Sequence, residues 1–212
     1  MRAVVIGASG GVGGALVELL AARDEVEAVH ALSRSGRGPT GAKIAAGRID
    51  IVDEESVAAA AEAVKAAGVP ELVIVASGIL SDGDRLQPEK TYRHQSLANF
   101  ERVFAINTFG PGLVAKHFLP LMPRQGRAVF AALSARVGSI SDNGYGGWHS
   151  YRASKAALNM LMKNYAIEQA RKNEDFVVAS LHPGTVDTGL SKPFKSNVPD
   201  KKLFTTQQSA GY

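Results

Sequence analysis

The stretch AVVIGASGGVGGALVELL (Ala3–Leu20) passes from a short apolar segment through a glycine cluster into a helical pattern. Ala3–Ile6 has the composition of a buried strand, and the apolar residues after the glycines recur at helical spacing. Gly7, Gly11 and Gly13 allow the backbone to turn tightly between the two. The sequence therefore predicts a strand–turn–helix unit at its start.

The same alternation of strand and helix patterns continues along the chain. Further strands are expected at Glu27–Ser33, Gly47–Ile51, Glu71–Ser77, Arg127–Leu133 and Phe176–His182. Helical patterns cover Val12–Ala22, Asp53–Gly68, Leu97–Leu119 and the residues from Ser150 onward. Such alternation implies βαβ units with right-handed crossovers. We expect one doubly wound α/β domain of Rossmann type over residues 1–212, with a mainly parallel sheet.

Composition excludes several classes of protein. The net charge of +4 comes from scattered residues with no basic run, so neither nucleic acid nor a membrane surface is an expected partner. The chain has no cysteine, which excludes disulfides and cysteine metal sites and favours a reducing compartment. Glycines and Glu18 spoil the N-terminus as a signal peptide, and no apolar run is long enough to span a bilayer. We expect a soluble, cytoplasmic protein.

The glycine turn is a candidate phosphate-binding site. Ligands of such sheets bind beyond the carboxyl ends of the strands. Glycines let the backbone approach a pyrophosphate, and the helix that follows directs its N–H groups and positive dipole end at it. Such a turn can also be an ordinary connection, but its place between an apolar strand and a helix favours dinucleotide binding.

Two further strand ends bear on the cofactor. Ser33 and Arg34 occupy the region where a carboxylate would hold the ribose 2′-hydroxyl of NAD. Arginine can pair with the 2′-phosphate of NADP instead, although a solvated surface arginine is an alternative. NADP(H) is therefore favoured over NAD(H). Asp50 could accept a hydrogen bond from the adenine amino group, or it could prepare the next helix, where Asp53 resembles an N-cap.

Tyr151 and Lys155 lie one helical turn apart, on the same face. A hydride that reaches or leaves a carbonyl carbon requires a proton to move at the oxygen. The pKa of free tyrosine is about 10, and a neighbouring ammonium would lower it. This spacing also arises by chance on amphipathic helices, so the pair alone is a weak signal.

Taken together, the motifs resemble the short-chain dehydrogenase/reductase family over nearly the whole sequence. They are GASGGVG near the N-terminus, Asn107 in FAINTFG, Ser134 in AALSARVG, Tyr151 and Lys155 in YRASK, and the later HPGTVDT. The segment from Ser134 to Asn159 looks particularly like the branch of C-factor-like and sniffer-like proteins.

The resemblance implies an NAD(P)-dependent oxidoreductase that interconverts a carbonyl and an alcohol. Tyr151 would be the acid/base, and Lys155 would lower its pKa and bind ribose. Asn107 would position a water in a proton relay, and Ser134 would hold the substrate oxygen. The implied cofactor contacts are Gly7, Ser9, Gly11, Val12, Gly13, Arg34, Asp50, Ile51, Gly78, Lys155, Pro183, Gly184 and Thr188.

The resemblance also implies a homodimer or homotetramer paired through the helices around Asn107 and Tyr151. An apolar stripe on the second helix is wide enough to pack on the sheet and also on a partner. Its members are Leu158, Leu161, Met162 and Tyr165.

The candidate serine departs from the family pattern SxxG. The register that ends at Gly138 places Ala135 at the serine position, and Ser134 stands one residue earlier. On a strand, that shift turns the side chain to the other face. Ser134 would reach the site if the strand end bulges, and otherwise Ser139 or another hydroxyl would serve. Ser134 is the preferred candidate.

Two more departures concern the sheet. VASG (Val75–Gly78) replaces the family's NNAG, so both asparagines are lost while Gly78 is kept. Near the end, Thr205 and Gln208 have the spacing of a capping box that opens a helix. The family continues into a last strand, so we expect a truncated sequence or a missing final edge, and truncation is favoured.

The substrate is the least determined feature. Gly184–Phe204 resembles a mobile lid and contains Lys192, Pro193, Lys195, Pro199, Lys201 and Lys202. The lysines could attract an anionic substrate, but a solvated loop is favoured. Tyr145 and Trp148 could form an apolar wall or anchor their loop. His149 and His182 have no partners that would indicate a metal site.

Two functions remain open from the sequence. One is a carbonyl reductase or alcohol dehydrogenase that uses NADP(H), and the other is a cofactor-binding signalling or sensor protein with weak or no catalysis. Ala135 and the lost asparagines favour the second. The retained Asn107, Tyr151 and Lys155 favour the first, which we prefer.

Overall fold

The apolar segment after Met1 forms the central strand of a six-stranded parallel sheet. The computed structural model describes residues 1–83, 85–191 and 203–212. The strands are β1 (Arg2–Ile6), β2 (Ala28–Ser33), β3 (Ile44–Arg48), β4 (Leu72–Val75), β5 (Ala128–Leu133) and β6 (Phe176–Leu181). Their order is β3-β2-β1-β4-β5-β6, so the direction of winding reverses between β1 and β4. The predicted doubly wound α/β fold is confirmed, and this reversal is where such sheets form a crevice.

Helices cover both faces of the sheet. They are α1 (Gly11–Ala21), α2 (Glu54–Ala67), α3 (Leu97–Phe104), α4 (Gly110–Phe118), α5 (His149–Ala170) and α6 (Thr206–Gly211). A π-helical segment, Ala105–Phe109, joins α3 to α4, so the helix predicted there changes its pitch midway. None of the helices among the described residues is long and apolar enough to cross a membrane.

The strands bury apolar side chains on both faces, as expected for a parallel sheet. On one face, residues such as Val4 and Phe130 pack against α2, α4 and α5. On the other, Val5 and Ile74 pack against α1. Val75, which stands at the position of the first asparagine of the family's NNAG motif, is buried in the apolar layer under α2, α4 and α5.

The third strand is earlier than predicted. The sequence pattern indicates Gly47–Ile51, but the ladder with β2 runs from Val29 opposite Ile44 to Ser33 opposite Arg48. Ile49 and Ile51 are buried beyond the end of the strand, in the apolar layer under α2. Their burial produces a strand-like apolar pattern in a segment that has already left the sheet.

The predicted stripe on α5 is used mainly within the chain. Leu158 and Met162 lie in the core, while Leu161 and Tyr165 pack beside Gly112 of α4. The exposed large apolar residues of α5 are Met160 and Ile167.

The end of the sequence returns to α1. β7 (Thr185–Val186) pairs in parallel with β8 (Leu203–Phe204), and α6 then packs against α1. Thr205 and Gln208 form the predicted capping box, with each side chain accepting the other's backbone N–H. The lysines and prolines of the predicted lid, Lys192, Pro193, Lys195, Pro199, Lys201 and Lys202, lie outside the described residues.

The turn between β1 and α1 requires glycine at two places. Gly7 has φ +95°, which favours glycine, and a Cβ on Gly13 would lie 2.2 Å from the carbonyl oxygen of Gly7. Because both atoms in this contact belong to the backbone, no side-chain rotation can relieve it.

We expect Gly13→Ala to lower the free energy of unfolding by about 3 kcal/mol or more, because the added methyl group separates α1 from β1. Gly112→Ala is the matched control. Its Cβ would meet atoms no closer than 3.6 Å, and helix propensity predicts a gain of about 0.5–1 kcal/mol. Urea unfolding of the two variants measures both effects. A G13A protein as stable as the wild type would contradict the steric argument.

Candidate active site

A cleft opens at the carboxyl ends of β1, β4, β5 and β6. Its larger part is a cavity of about 480 Å³ lined by the glycine turn, α5 and the segment after β6. A second cavity of about 370 Å³ adjoins it and shares Gly10 and Gly11. The cleft therefore runs from the α1 turn to the start of α5, at the reversal of the sheet.

The N-terminus of α1 faces this cleft. Gly10 is the N-cap and makes no side-chain capping bond, and the first turn contains no acidic residue. The first helical hydrogen bond runs from the Gly14 N–H to Gly10, so the N–H groups before Gly14 lack an intrahelical acceptor. Ser9 lines the smaller cavity and Val12 the larger. An anion fits this turn by charge and by hydrogen bonding.

Tyr151 and Lys155 lie on the first turns of α5, and both are more than nine-tenths buried. The Lys155 Nζ donates to the carbonyl oxygen of Leu133 at 2.9 Å and lies 5.8 Å from the centre of the Tyr151 ring. Burial raises the pKa of Tyr151 to about 12 and lowers the pKa of Lys155 to about 8. In this structure, burial thus shifts the tyrosine pKa in the opposite direction to the predicted effect of the lysine charge.

Asn107 connects the active-site helix to the loop after β4. It lies in the π-helical segment and is fully buried. Its Oδ1 accepts the Ile79 N–H at 2.8 Å, and its Nδ2 donates to Ile79 O at 2.9 Å and to Ser154 Oγ at 3.1 Å. Ser154 Oγ in turn donates to the carbonyl oxygen of Tyr151. The amide therefore fixes the backbone around Tyr151, and its predicted role toward a water stays a prediction.

Ser134 follows β5 without a bulge. Its N–H continues the ladder by donating to Leu181 O at 2.7 Å, and its Oγ donates to Oδ1 of Asn159 at 2.7 Å. Ser134 and Ala135 both line the larger cavity. Ser139 accepts the N–H of Asp142 within its own loop. Neither candidate hydroxyl is thus left without a protein partner, and which group holds the substrate oxygen stays a prediction.

The segment after β6 closes the opposite side of the cleft. Pro183, Gly184 and Thr188 all line the larger cavity, together with Gly78. Gly184 has φ +78° and adjoins the ring of Phe204, where a Cβ would come within 2.6 Å. A Cβ on Gly11 would meet the Thr188 methyl group at 2.9 Å. The structure therefore brings the predicted residues of both sides together.

Three predicted cofactor residues line neither of the two cavities. Arg34 is exposed in the turn after β2, and Arg37, which is exposed as well, lines the smaller cavity beside the glycine turn. Asp50 accepts the N–H of Val52, and its own N–H donates to Ser56 Oγ. Ile51 is buried, and the space beside Gly110 is filled by its side chain. The adenine contacts of Asp50 and Ile51 stay predictions.

Several cleft residues were missed by sequence reasoning. Arg37 lies in the Gly/Pro-rich stretch after β2. Its position between two glycines is the sequence feature that could have indicated an arginine beside the cofactor. Ser77 packs against Gly7, and Thr206 and Gln207 reach the smaller cavity from α6. Of the two aromatic residues for which an apolar wall was one predicted role, Trp148 lines the larger cavity. Tyr145 is 97% exposed and forms no wall there.

The comparisons agree with this geometry. The sequence matches the short chain dehydrogenase family over residues 1–199. C-signal of Myxococcus xanthus is 38% identical over 96 residues, which are 45% of this chain and 57% of that protein. The match thus spans little more than half the length of this relative.

Solved structures extend the likeness to nearly the whole chain. The NADPH-bound carbonyl reductase from chicken fatty liver has a TM-score of 0.84 and 26% identity, and the match covers 99% of this chain and 84% of that one. Carbonyl reductase Sniffer of D. melanogaster, at 20% identity, shares the fold with a TM-score of 0.82, over 99% of this chain and 88% of that one. By the family match and by the cleft that its residues build, the chain belongs to the short-chain dehydrogenase family of oxidoreductases.

Proposed function

We propose that this protein reduces a carbonyl compound to an alcohol with NADPH, and that Tyr151 donates the proton. The observation that carries the proposal is the buried Tyr151–Lys155 pair at one end of a cleft whose other end is an uncapped, glycine-lined helix N-terminus. When bound, NADPH would supply the hydride to the carbonyl carbon.

The protonation state of Tyr151 fits the role of a proton donor. Because burial raises the pKa of its phenol to about 12, the hydroxyl is protonated near neutral pH and can donate to the oxygen of a carbonyl as it accepts a hydride. The Lys155 ammonium would stabilise the phenolate that remains.

The residues of the turn fit a dinucleotide. Gly7, Gly11 and Gly13 leave no room for side chains, and the α1 N–H groups would hold the pyrophosphate. Arg37 lines the smaller cavity, and its carbonyl is anchored by Ser33 Oγ at 2.6 Å. With Arg34 nearby in sequence, two guanidinium groups would favour the 2′-phosphate of NADPH over the hydroxyl of NADH. The related chicken carbonyl reductase binds NADPH.

The substrate side of the cleft supports an apolar carbonyl compound. Its lining includes Leu133, Ala135, Val137, Trp148 and Leu190. Arg136 also reaches it, but Asp142 pairs with that guanidinium at 2.6 Å and neutralises its charge. We therefore propose a ketone or aldehyde with apolar substituents rather than an anionic substrate.

A second candidate is a cofactor-binding signalling protein with little catalysis. It is favoured by one observation: Ala135 has no hydroxyl, and the Ser134 hydroxyl is bound to Asn159. NADPH binding without turnover of any apolar aldehyde or ketone would support this candidate and exclude the reductase.

The quaternary structure remains a proposal. Met160 is 63% exposed on α5, and Phe109 is 59% exposed at the junction of α3 and α4. Exposed apolar side chains on these helices support a homodimer or homotetramer paired through them.

Tyr151→Phe removes the proton donor and keeps the ring. We expect the kcat for NADPH-dependent ketone reduction to fall by about 10²–10⁴-fold. NADPH affinity should stay within about twofold of the wild type, because the cofactor contacts are kept. Tyr165→Phe is the control, because Tyr165 packs on α4 away from the cleft. Undiminished turnover by Y151F would overturn the mechanism.

Lys155→Met tests the buried ammonium. Folding lowers the pKa of Lys155 from 10.5 to about 8. The buried ammonium therefore lowers the free energy of unfolding by its full amount below pH 8, and this cost decreases as pH rises toward 10.5. The pKa shift corresponds to about 3 kcal/mol, and the lost bond to Leu133 O offsets about 1 kcal/mol.

We therefore expect K155M to be more stable than the wild type by about 2 kcal/mol near pH 7, with this advantage lost and slightly reversed by pH 10.5, and to lose turnover. Urea unfolding at several pH values measures this, with exposed Lys163→Met as the control. A difference that is independent of pH would contradict the assignment.

Arg37→Ala and Arg34→Ala test the cofactor preference. Loss of a charge-assisted bond to the 2′-phosphate should weaken NADPH binding about 10–100-fold for each residue that makes it, without changing NADH binding. Thermal-shift titrations with both cofactors measure this. Arg124→Ala is the control, because Arg124 lies on the loop before β5, at the amino ends of the strands and away from the cleft. Tighter binding of NADH than NADPH by the wild type would refute the preference.

A further inference from the structure

Glu89 is a fully buried acidic residue in the long connection between β4 and α3. It is 1% exposed, although ionisable side chains are rarely buried without partners. Its Oε2 accepts the N–H of Ser150 at 3.3 Å, in the first turn of α5. Its Oε1 has no hydrogen-bond partner among the described residues. Burying a carboxylate in this way is costly, so the arrangement requires an explanation.

The segment that Glu89 contacts has an unusual backbone. Gly146, Gly147 and Trp148 all have left-handed conformations, with φ values of 65°, 66° and 50°. Trp148 is the one non-glycine residue with positive φ among the described residues, and a bulky side chain disfavours this region. Strain of this kind persists only where neighbouring contacts enforce it. We call Gly146–Trp148 the left-handed turn.

Glu89 contacts this turn through its main chain as well. Its carbonyl oxygen accepts the N–H of Trp148, which is the N-cap residue of α5. A Cβ on Gly147 would lie 3.5 Å from the same oxygen. Glu89 therefore contacts both sides of the α5 N-cap, the backbone before the helix and the first turn within it. Its negative charge also lies at the positive end of the helix dipole.

The left-handed turn determines where Tyr151 stands. Tyr151 is the third residue of α5, and the Trp148 ring meets it edge-on, with centroids 6.3 Å apart and an angle of 77°. Since the N-cap conformation fixes both the Trp148 ring and the start of the helix, a change in the turn would move the phenol relative to the cleft.

We propose that Glu89 is a positioning residue: its buried carboxylate and carbonyl hold the left-handed turn in its strained conformation and thereby orient Tyr151. The proposal rests on the proposed role of Tyr151 as proton donor. Glu89 lines neither cavity of the cleft, so it would act on the reaction through Tyr151.

The substitutions Glu89→Gln and Glu89→Asp distinguish the effect of side-chain length from the effect of charge. Glutamine keeps an acceptor oxygen at the Ser150 N–H, whereas aspartate keeps the charge on a side chain one methylene too short. We expect E89Q to retain kcat within about threefold and E89D and E89A to lose at least about tenfold, a range set by the steep dependence of proton transfer on geometry. NADPH affinity should stay within about twofold in all three, because α1 is untouched.

Fluorescence gives a readout that does not depend on turnover. Trp148 is the only tryptophan in the chain, so its emission reports directly on the left-handed turn. E89D and E89A should shift the emission to longer wavelength and increase its quenching by acrylamide at temperatures well below unfolding, while E89Q should not. If the wild type proves inactive, the proposed function fails, and the fluorescence still tests whether Glu89 holds the turn.

Asp53→Ala is the matched control, since it removes a helix cap from α2, remote from Tyr151. It should lower the Tm by about 2–4 °C without changing kcat or emission. If kcat and emission in E89D and E89A match the wild type, or if D53A shows the same losses, Glu89 has no positioning role. If E89A does not fold, the comparison of E89Q with E89D decides the question alone.

Discussion

The cleft depends on one contact between two pieces of backbone, the approach of Gly13 to the carbonyl oxygen of Gly7. Because no side chain lies between them, α1 starts directly over the end of β1, and its free N–H groups face the reversal of the sheet. The segment after β6 and the start of α6 then close on the same turn, where Thr188 and Thr206 lie beside Gly11. Both cavities meet at this point, so a bound molecule that spans them would have to cross the glycine turn.

The opposite end of the cleft is held by polar groups in the interior. Asn107 joins the loop after β4 to α5, Lys155 joins α5 to the end of β5, and Glu89 joins the connection before α3 to the N-cap of α5. Each of these groups is buried and would be destabilising without its partners. Two of the side chains that anchor α5, Asn107 and Lys155, are thus also among the residues proposed to act in the site.

The sequence was informative wherever one short segment contains the whole signal. The strand–turn–helix start, the order of the elements, the Asp53 and Thr205 caps and the Tyr151–Lys155 spacing are all local, and the structure contains each of them. The sequence was misleading or uninformative where contacts between distant segments determine the structure. The third strand shifts because Ile49 and Ile51 are buried outside the sheet, and burial reverses the expected direction of the Tyr151 pKa shift. Nothing local indicates that Glu89 reaches a helix 61 residues away.

The π-helical segment between α3 and α4 sets a limit on how the sequence can vary. A residue of an α-helix turns the chain by about 100°, and a π-helical turn holds one residue more than an α-helical one. Because the extra residue is accommodated within a single turn, removing one residue here would restore a regular helix with α3 and α4 in nearly the same relative rotation. Val103 would then stay in the core, while the Asn107 amide would lose its place beside Ile79 and Ser154. The extra residue of the π-helical turn is thus needed for the contacts of Asn107 and not for the packing of α3 against α4.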